Sequence, residues 1–162
     1  MYKQYLKVQD CKTGKGLFSS ITIPAGVPIL EITGPIVLDR DLKDNIENYL
    51  QVGPNIFLGN SGDIDDFINH HCDPNCRLHV MGNRAILYSL YVIPAEAELN
   101  IDYSTTSTYT LDQWQMNCLC GSNKCRKVIS GHQYLDDELK QKYINNNMFP
   151  LYIIYPNLFQ KR

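Results

Sequence analysis

The eleven residues Asp66-Phe67-Ile68-Asn69-His70-His71-Cys72-Asp73-Pro74-Asn75-Cys76 constrain this chain more than any others. They crowd an apolar pair, amides, two imidazoles, two thiols and a Pro-Asn break into a run that suits neither helix nor strand. Pro74 fixes its own φ and pushes Asp73 out of the helical region, so Asp73-Pro74-Asn75 predicts a turn. Asn, His and Cys on irregular backbone commonly build a site, because loops held by a scaffold carry function. The bland reading is a surface turn with a few buried thiols.

A second cluster, Cys118-Leu119-Cys120-Gly121-Ser122-Asn123-Lys124-Cys125-Arg126, weighs against the bland reading. Three cysteines with one and four residues between them are one thiolate short of a tetrahedral zinc site, and Cys72 can supply the fourth. Zinc would then pin the C-terminal loop against Asn69-His70. The chain has six cysteines, and its Met1-Tyr2-Lys3-Gln4 start lacks a signal peptide's apolar stretch, so metal ligation in a reducing compartment fits better than disulfides. Cys11 and Cys76 read as ordinary small apolar residues. A zinc site that includes His70 or His71 is the alternative ligand set.

Elsewhere Gly and Pro break the chain into many short β-prone pieces: residues 1–10, 21–32, 36–38, 56–58, 77–90 and 98–103. Leu42, Ile46, Tyr49 and Leu50 recur at helical spacing and predict an amphipathic helix over 39–50. The polar run 104–109 predicts a mobile loop. Asp136 to Tyr143 predicts a short helix with acids early and lysines late, and 150–159 an apolar tail packing on the domain. The fold class is therefore mostly β with short helices. A formal net charge of −2 offers no basic footprint, so no direct nucleic-acid contact is expected. No apolar run approaches membrane-spanning length, so a soluble intracellular protein, cytoplasmic or nuclear, is expected.

These residues resemble the SET-domain protein lysine methyltransferases. The resemblance rests on Asn69-His70-x-Cys72-x-Pro74-Asn75, on Glu98-Leu99-Asn100-Ile101-Asp102-Tyr103, and on the post-SET run Cys118-x-Cys120-Gly121-Ser122-x-x-Cys125-Arg126. Gly14-Lys15-Gly16-Leu17-Phe18 adds a fourth element, and all four stand in the family's order across residues 10–130. It implies several small β-sheets with a threaded, pseudoknot-like C-terminal segment. It divides the chain into a SET domain over 1–110, with 39–50 as a helical insert, a post-SET zinc segment over 111–130, and a C-terminal helix and tail over 131–162.

The resemblance also implies S-adenosylmethionine as cofactor, zinc as resident metal, and as partner a protein carrying an accessible lysine, a histone tail or another. Methyl transfer from a sulfonium to an amine needs alignment, a neutral amine and a dry site, and no covalent intermediate. Tyr103 stands at the family's active-site tyrosine. The implied cofactor contacts are Lys15, Gly16, Leu17, Phe18, Asn69, His70, Tyr103, Trp114 and Leu119, and the implied metal ligands are Cys72, Cys118, Cys120 and Cys125. Ile32, Phe57, Phe67 and Ile101 are implied for the lysine channel. Trp114 could equally be a core tryptophan, Tyr103 a strand tyrosine, and His70 or His71 a general base. Four positions depart from the family: Ile101 replaces an aromatic, Ile32 a tyrosine, Asp66 an arginine, and Ala95-Glu96-Ala97-Glu98 a Gly-Glu-Glu turn. An interaction module that binds without turnover is the competing class, and a small zinc-stapled structural protein the third.

Overall fold

The computed structural model describes residues 1–43 and 46–159. The first strands are β1 (Leu6–Cys11), β2 (Gly14–Ser19), β3 (Pro28–Ile32), β4 (Ile36–Leu38), β5 (Leu50–Gly53) and β6 (Ile56–Leu58). The rest are β7 (Asn69–His70), β8 (Cys76–Met81), β9 (Arg84–Ser89), β10 (Glu98–Ile101), β11 (Met116–Asn117) and β12 (Val128–Ile129), with helices α1 (Asp137–Asn145) and α2 (Leu151–Ile154). The strands form four small sheets, ordered β1-β2-β10-β7, β3-β9-β8, β4-β6-β5 and β11-β12. Among the described residues every strand pair but one is antiparallel, and β1–β2, β5–β6 and β8–β9 are joined by short hairpin connections. The β8–β9 turn is the two residues Gly82-Asn83, and Gly82 at φ 61° supplies the left-handed conformation such a turn needs.

One pairing is parallel and long-range: Asn100 opposes Asn69 and Ile101 opposes His70. This pairing sets β10 alongside the start of the 69–75 loop. His71 N–H donates to Ile101 C=O at 2.8 Å, and the Asn75 amide fastens both sides, accepting from Asn100 N–H and donating to Glu98 C=O. Leu17, Ile23, Ile29, Leu87, Ile93 and Leu99, all fully buried, share the main core between the sheets. A smaller core joins Leu135, Tyr143, Met148 and Phe149 under α1.

Two expectations are corrected. Among the described residues, 39–50 holds two short 3₁₀ turns, Asp39–Asp41 and Ile46–Asn48, and no α-helix; residues 44 and 45 lie outside the described set. Leu42 is extended and Leu50 is drawn into β5, so the helical spacing of the apolar residues loses to pairing at both flanks. The polar run is interior over residues 104–107, with Thr108 and Tyr109 half-buried. Ser104, Thr105, Thr106 and Ser107 are all buried, and their polarity serves enclosed hydrogen bonds rather than solvent. Tyr152 Oη donates to Thr106 C=O, His132 N–H donates to Ser107 C=O, and Thr108 N–H donates to Gln51.

Candidate active site

The 69–75 loop brings Cys72 to the post-SET turn. The sulfurs of Cys72, Cys118, Cys120 and Cys125 all lie within 4.8 Å of one another, and Cys72 Sγ is 3.7 Å from Cys118 Sγ. Tetrahedral zinc with Zn–S near 2.3 Å spaces its sulfurs by about 3.8 Å, so these four sulfurs stand close enough to close around zinc. All six cysteines are free thiols. Burial pushes the Cys118 thiol up. Burial also opposes ionisation of Cys120, but backbone N–H donors and neighbouring thiols overcome it and bring Cys120 down to about 6. A donor set that already favours one thiolate suits a divalent cation. His70 and His71 are outside the cage: His71 Nδ1 lies 2.7 Å from the carbonyl oxygen of Asp73.

Two depressions meet at Thr13 and Asn69. The larger, about 520 Å³, is lined by Ile32, Asp65, Ile68, Ile101, Tyr103 and Trp114 among others. The smaller, about 40 Å³, is walled by Lys12, His71, Glu98, Asn100, Leu119 and Cys120. Asn69 holds the boundary, its amide donating to Lys15 C=O at 2.9 Å and to Glu98 Oε1 at 2.7 Å. Gly16 is required here: a Cβ would stand 2.3 Å from Glu98 Oε1 and 3.0 Å from Asn69 Nδ2. The missing side chain lets the Glu98 carboxylate and the Asn69 amide close against the Gly16 backbone.

Tyr103 stands in the wall of the larger depression. Its hydroxyl donates to Ile68 C=O at 2.8 Å, and burial pushes it up to about 12, so it remains a neutral phenol with lone pairs free to accept. His70 lies beside it with ring centroids 5.4 Å apart. Burial drives His70 down to about 4, against the pull of Asp102. Its Nδ1 accepts from Tyr103 N–H at 3.2 Å and its Nε2 lies 3.2 Å from Cys72 Sγ. Neither ring nitrogen is left for a general-base role.

A family model for the SET domain matches residues 14–104, more than half of the chain. The chain belongs to the SET domain family. Among curated relatives, the histone-lysine N-methyltransferase trithorax of Drosophila virilis is 28% identical over 146 residues, spanning 80% of this chain and 4% of that protein. The H3 lysine-4 specific histone-lysine N-methyltransferase of Emericella nidulans is 32% identical over 135 residues, 71% of this chain and 11% of that protein. The structure is also similar to KRYPTONITE in complex with mCHH DNA, an H3(1-15) peptide and SAH. That match has a TM-score of 0.65 and 26% identity, covering 77% of this chain and 29% of that one. This SET domain thus spans a small part of each relative. The expected absence of nucleic-acid contact gains nothing from the comparison, because the KRYPTONITE complex contains DNA. No helix among the described residues is long and apolar enough to cross a membrane.

The SET fold brings most of the predicted site residues together and leaves some apart. Asn69, Tyr103, Trp114, Ile32 and Ile101 line the larger depression, and His70 and Leu119 the smaller. Leu17 is fully buried in the core, with its backbone paired to Val8 and Leu99, and Phe18 is paired to Lys7 and Glu98. Gly16 and Lys15 meet the site through their backbone. Phe57 stacks behind Tyr109 at 5.7 Å, and Phe67 packs on the core; neither lines the depression. Thr13, Tyr109, Met116 and Asn100 were not anticipated. Asn100 sat inside a quoted motif, whereas Tyr109 stood in the run read as a loop.

Proposed function

We propose that this SET domain is an S-adenosylmethionine-dependent protein lysine N-methyltransferase. The observation that carries the reading is the neutral Tyr103 hydroxyl, fixed by Ile68 C=O beside the Thr13–Asn69 boundary. S-adenosylmethionine supplies the methyl group on its sulfonium. Lys15 C=O, Asn69, His71 and Leu119 border the place where it would be held, and the bare backbone of Gly16 lets the Asn69–Glu98 contact close at that border. Tyr103 Oη accepts from the incoming amine and turns its lone pair toward the methyl group. Ile32, Ile68 and Ile101 surround that amine with apolar walls, which disfavour its charged form and exclude water.

Supporting a basic substrate segment, the larger depression carries Glu47, Asp65 and Asp66. Asp65 accepts from Thr33 N–H and Ser61 Oγ, and Asp66 from Ser61 and Gly62 N–H, all neutral donors that leave the negative charge standing. Histone tails are therefore the first substrates to test, in line with the names of the relatives. The test is methylation with labelled cofactor on histones and whole-cell lysate, followed by mass spectrometry of modified bands. Labelled lysine supports the reading. Cofactor binding with no labelled lysine would establish the interaction module instead.

A further inference from the structure

We infer that His70 is a positioning residue whose two ring nitrogens serve two different sites, Nδ1 the backbone of Tyr103 and Nε2 the metal-ligand sulfur of Cys72. The inference rests on the proposed role of Tyr103. A backbone N–H can only donate, so the 3.2 Å contact from Tyr103 N–H makes Nδ1 the ring's lone-pair nitrogen and puts the proton on Nε2. That proton points at Cys72 Sγ, 3.2 Å away. Asp102 Oδ1 is 3.5 Å from Nδ1, but this carboxylate is already filled by Arg126, Tyr143 and Ser104 N–H and needs no proton from the ring.

The arrangement meets two needs at once. β10 ends at Ile101, so the Tyr103 amide has no strand partner and finds its acceptor in His70. That bond sets where Tyr103 leaves the strand, and therefore where its hydroxyl meets Ile68 C=O. At the other nitrogen, an N–H donor to a ligating sulfur, alongside Arg126 N–H at 3.4 Å, steadies the thiolate. With 4% of its side chain exposed, His70 has no solvent partner to substitute.

Two substitutions separate the roles, tested on the zinc-loaded full chain. His70→Gln reaches toward the sulfur with an amide donor but has no acceptor at the Nδ1 position. His70→Asn has an oxygen near that position and does not reach the sulfur. The readouts are hydrogen exchange at the Tyr103 amide, zinc release to a colorimetric chelator, and single-turnover methyl transfer with cofactor affinity measured in parallel. His70→Gln should speed Tyr103 amide exchange and slow methyl transfer by about tenfold or more, with cofactor affinity and zinc release within about twofold. His70→Asn should speed zinc release by about tenfold while hydrogen exchange at the Tyr103 amide stays within about threefold. Any other pattern overturns the inference, including loss of every readout in both variants, which a merely structural histidine predicts. Wild type without methyl transfer would refute the proposed function, and amide exchange and zinc release would still decide this inference.

Discussion

Arg126 grips Asp102 with both terminal nitrogens, Nη1 to Oδ2 at 2.6 Å and Nη2 to Oδ1 at 2.7 Å. Asp102 has no exposed surface, and Tyr143 Oη from α1 adds a third bond at 2.7 Å. One carboxylate thus joins the residue before Tyr103 to the post-SET turn and to the C-terminal helix. Asp102→Asn strands the guanidinium and should cost about 3–5 kcal/mol, because a half-removed buried pair leaves an uncompensated charge. Urea denaturation measures it; a loss below about 1 kcal/mol would mean that solvent reaches Arg126 readily.

Tyr103→Phe keeps the ring and removes the hydroxyl held by Ile68 C=O. Methyl transfer should fall by roughly 10²–10³-fold, the usual worth of one oriented polar contact in a dry site. Cofactor affinity and fold should be almost unchanged, since the volumes nearly match. Single-turnover rates within about twofold of wild type would remove the hydroxyl from the mechanism.

Cys120 belongs to the sulfur cage and also walls the smaller depression with Leu119. Cys120→Ser should lose zinc, melt at lower temperature and bind S-adenosylmethionine more weakly, all together, because metal-site free energy is folding free energy. Calorimetry showing unchanged cofactor affinity in the zinc-free variant would uncouple the two sites.

Gly16→Ala drives a methyl group into the Asn69–Glu98 contact. The Glu98 carboxylate can swing aside, so the fold should lose only about 1–3 kcal/mol. Cofactor affinity should suffer more than the rate at saturation. Equal affinities in wild type and variant would place the cofactor away from this boundary.

His70 gives the pH dependence its sign. Its folded value is about 4 and its unfolded value about 6.5, so between these the unfolded chain binds more protons. The contribution is full above about pH 6.5 and is lost as pH falls toward 4; at 1.36 kcal/mol per unit it is on the order of 3 kcal/mol. Cysteine ligands protonate as well, so the difference between wild type and His70→Gln at saturating zinc isolates the histidine. Parallel stability curves for the two proteins across that window would remove His70 as the titrating group.

The four cysteines were legible because a tetrahedral sulfur site demands a ligand count and a spacing that few other structures need, and Cys72 with 118–125 met both. Asn69, Gly16 and Tyr103 were singled out only through the resemblance of their motifs to the SET family, since an amide, a glycine and a tyrosine taken singly fit a turn or a core equally well. The short broken strands were legible too, since Gly and Pro act locally. Residues 39–50 misled because helical spacing is a local signal, and β pairing at both ends overrode it. Residues 104–107 misled because Ser and Thr look solvated until Gln51, His132 and Tyr152 close around the run; their burial is decided by partners distant in the chain. The parallel β7–β10 pairing joins Asn69 to Asn100 and His70 to Ile101, far apart in the chain, in a register no local pattern specifies. His70 shows the division most clearly. Its identity was plain in the sequence, but which partner each nitrogen serves is set by Tyr103 and Cys72, which only the folded chain brings to its two sides.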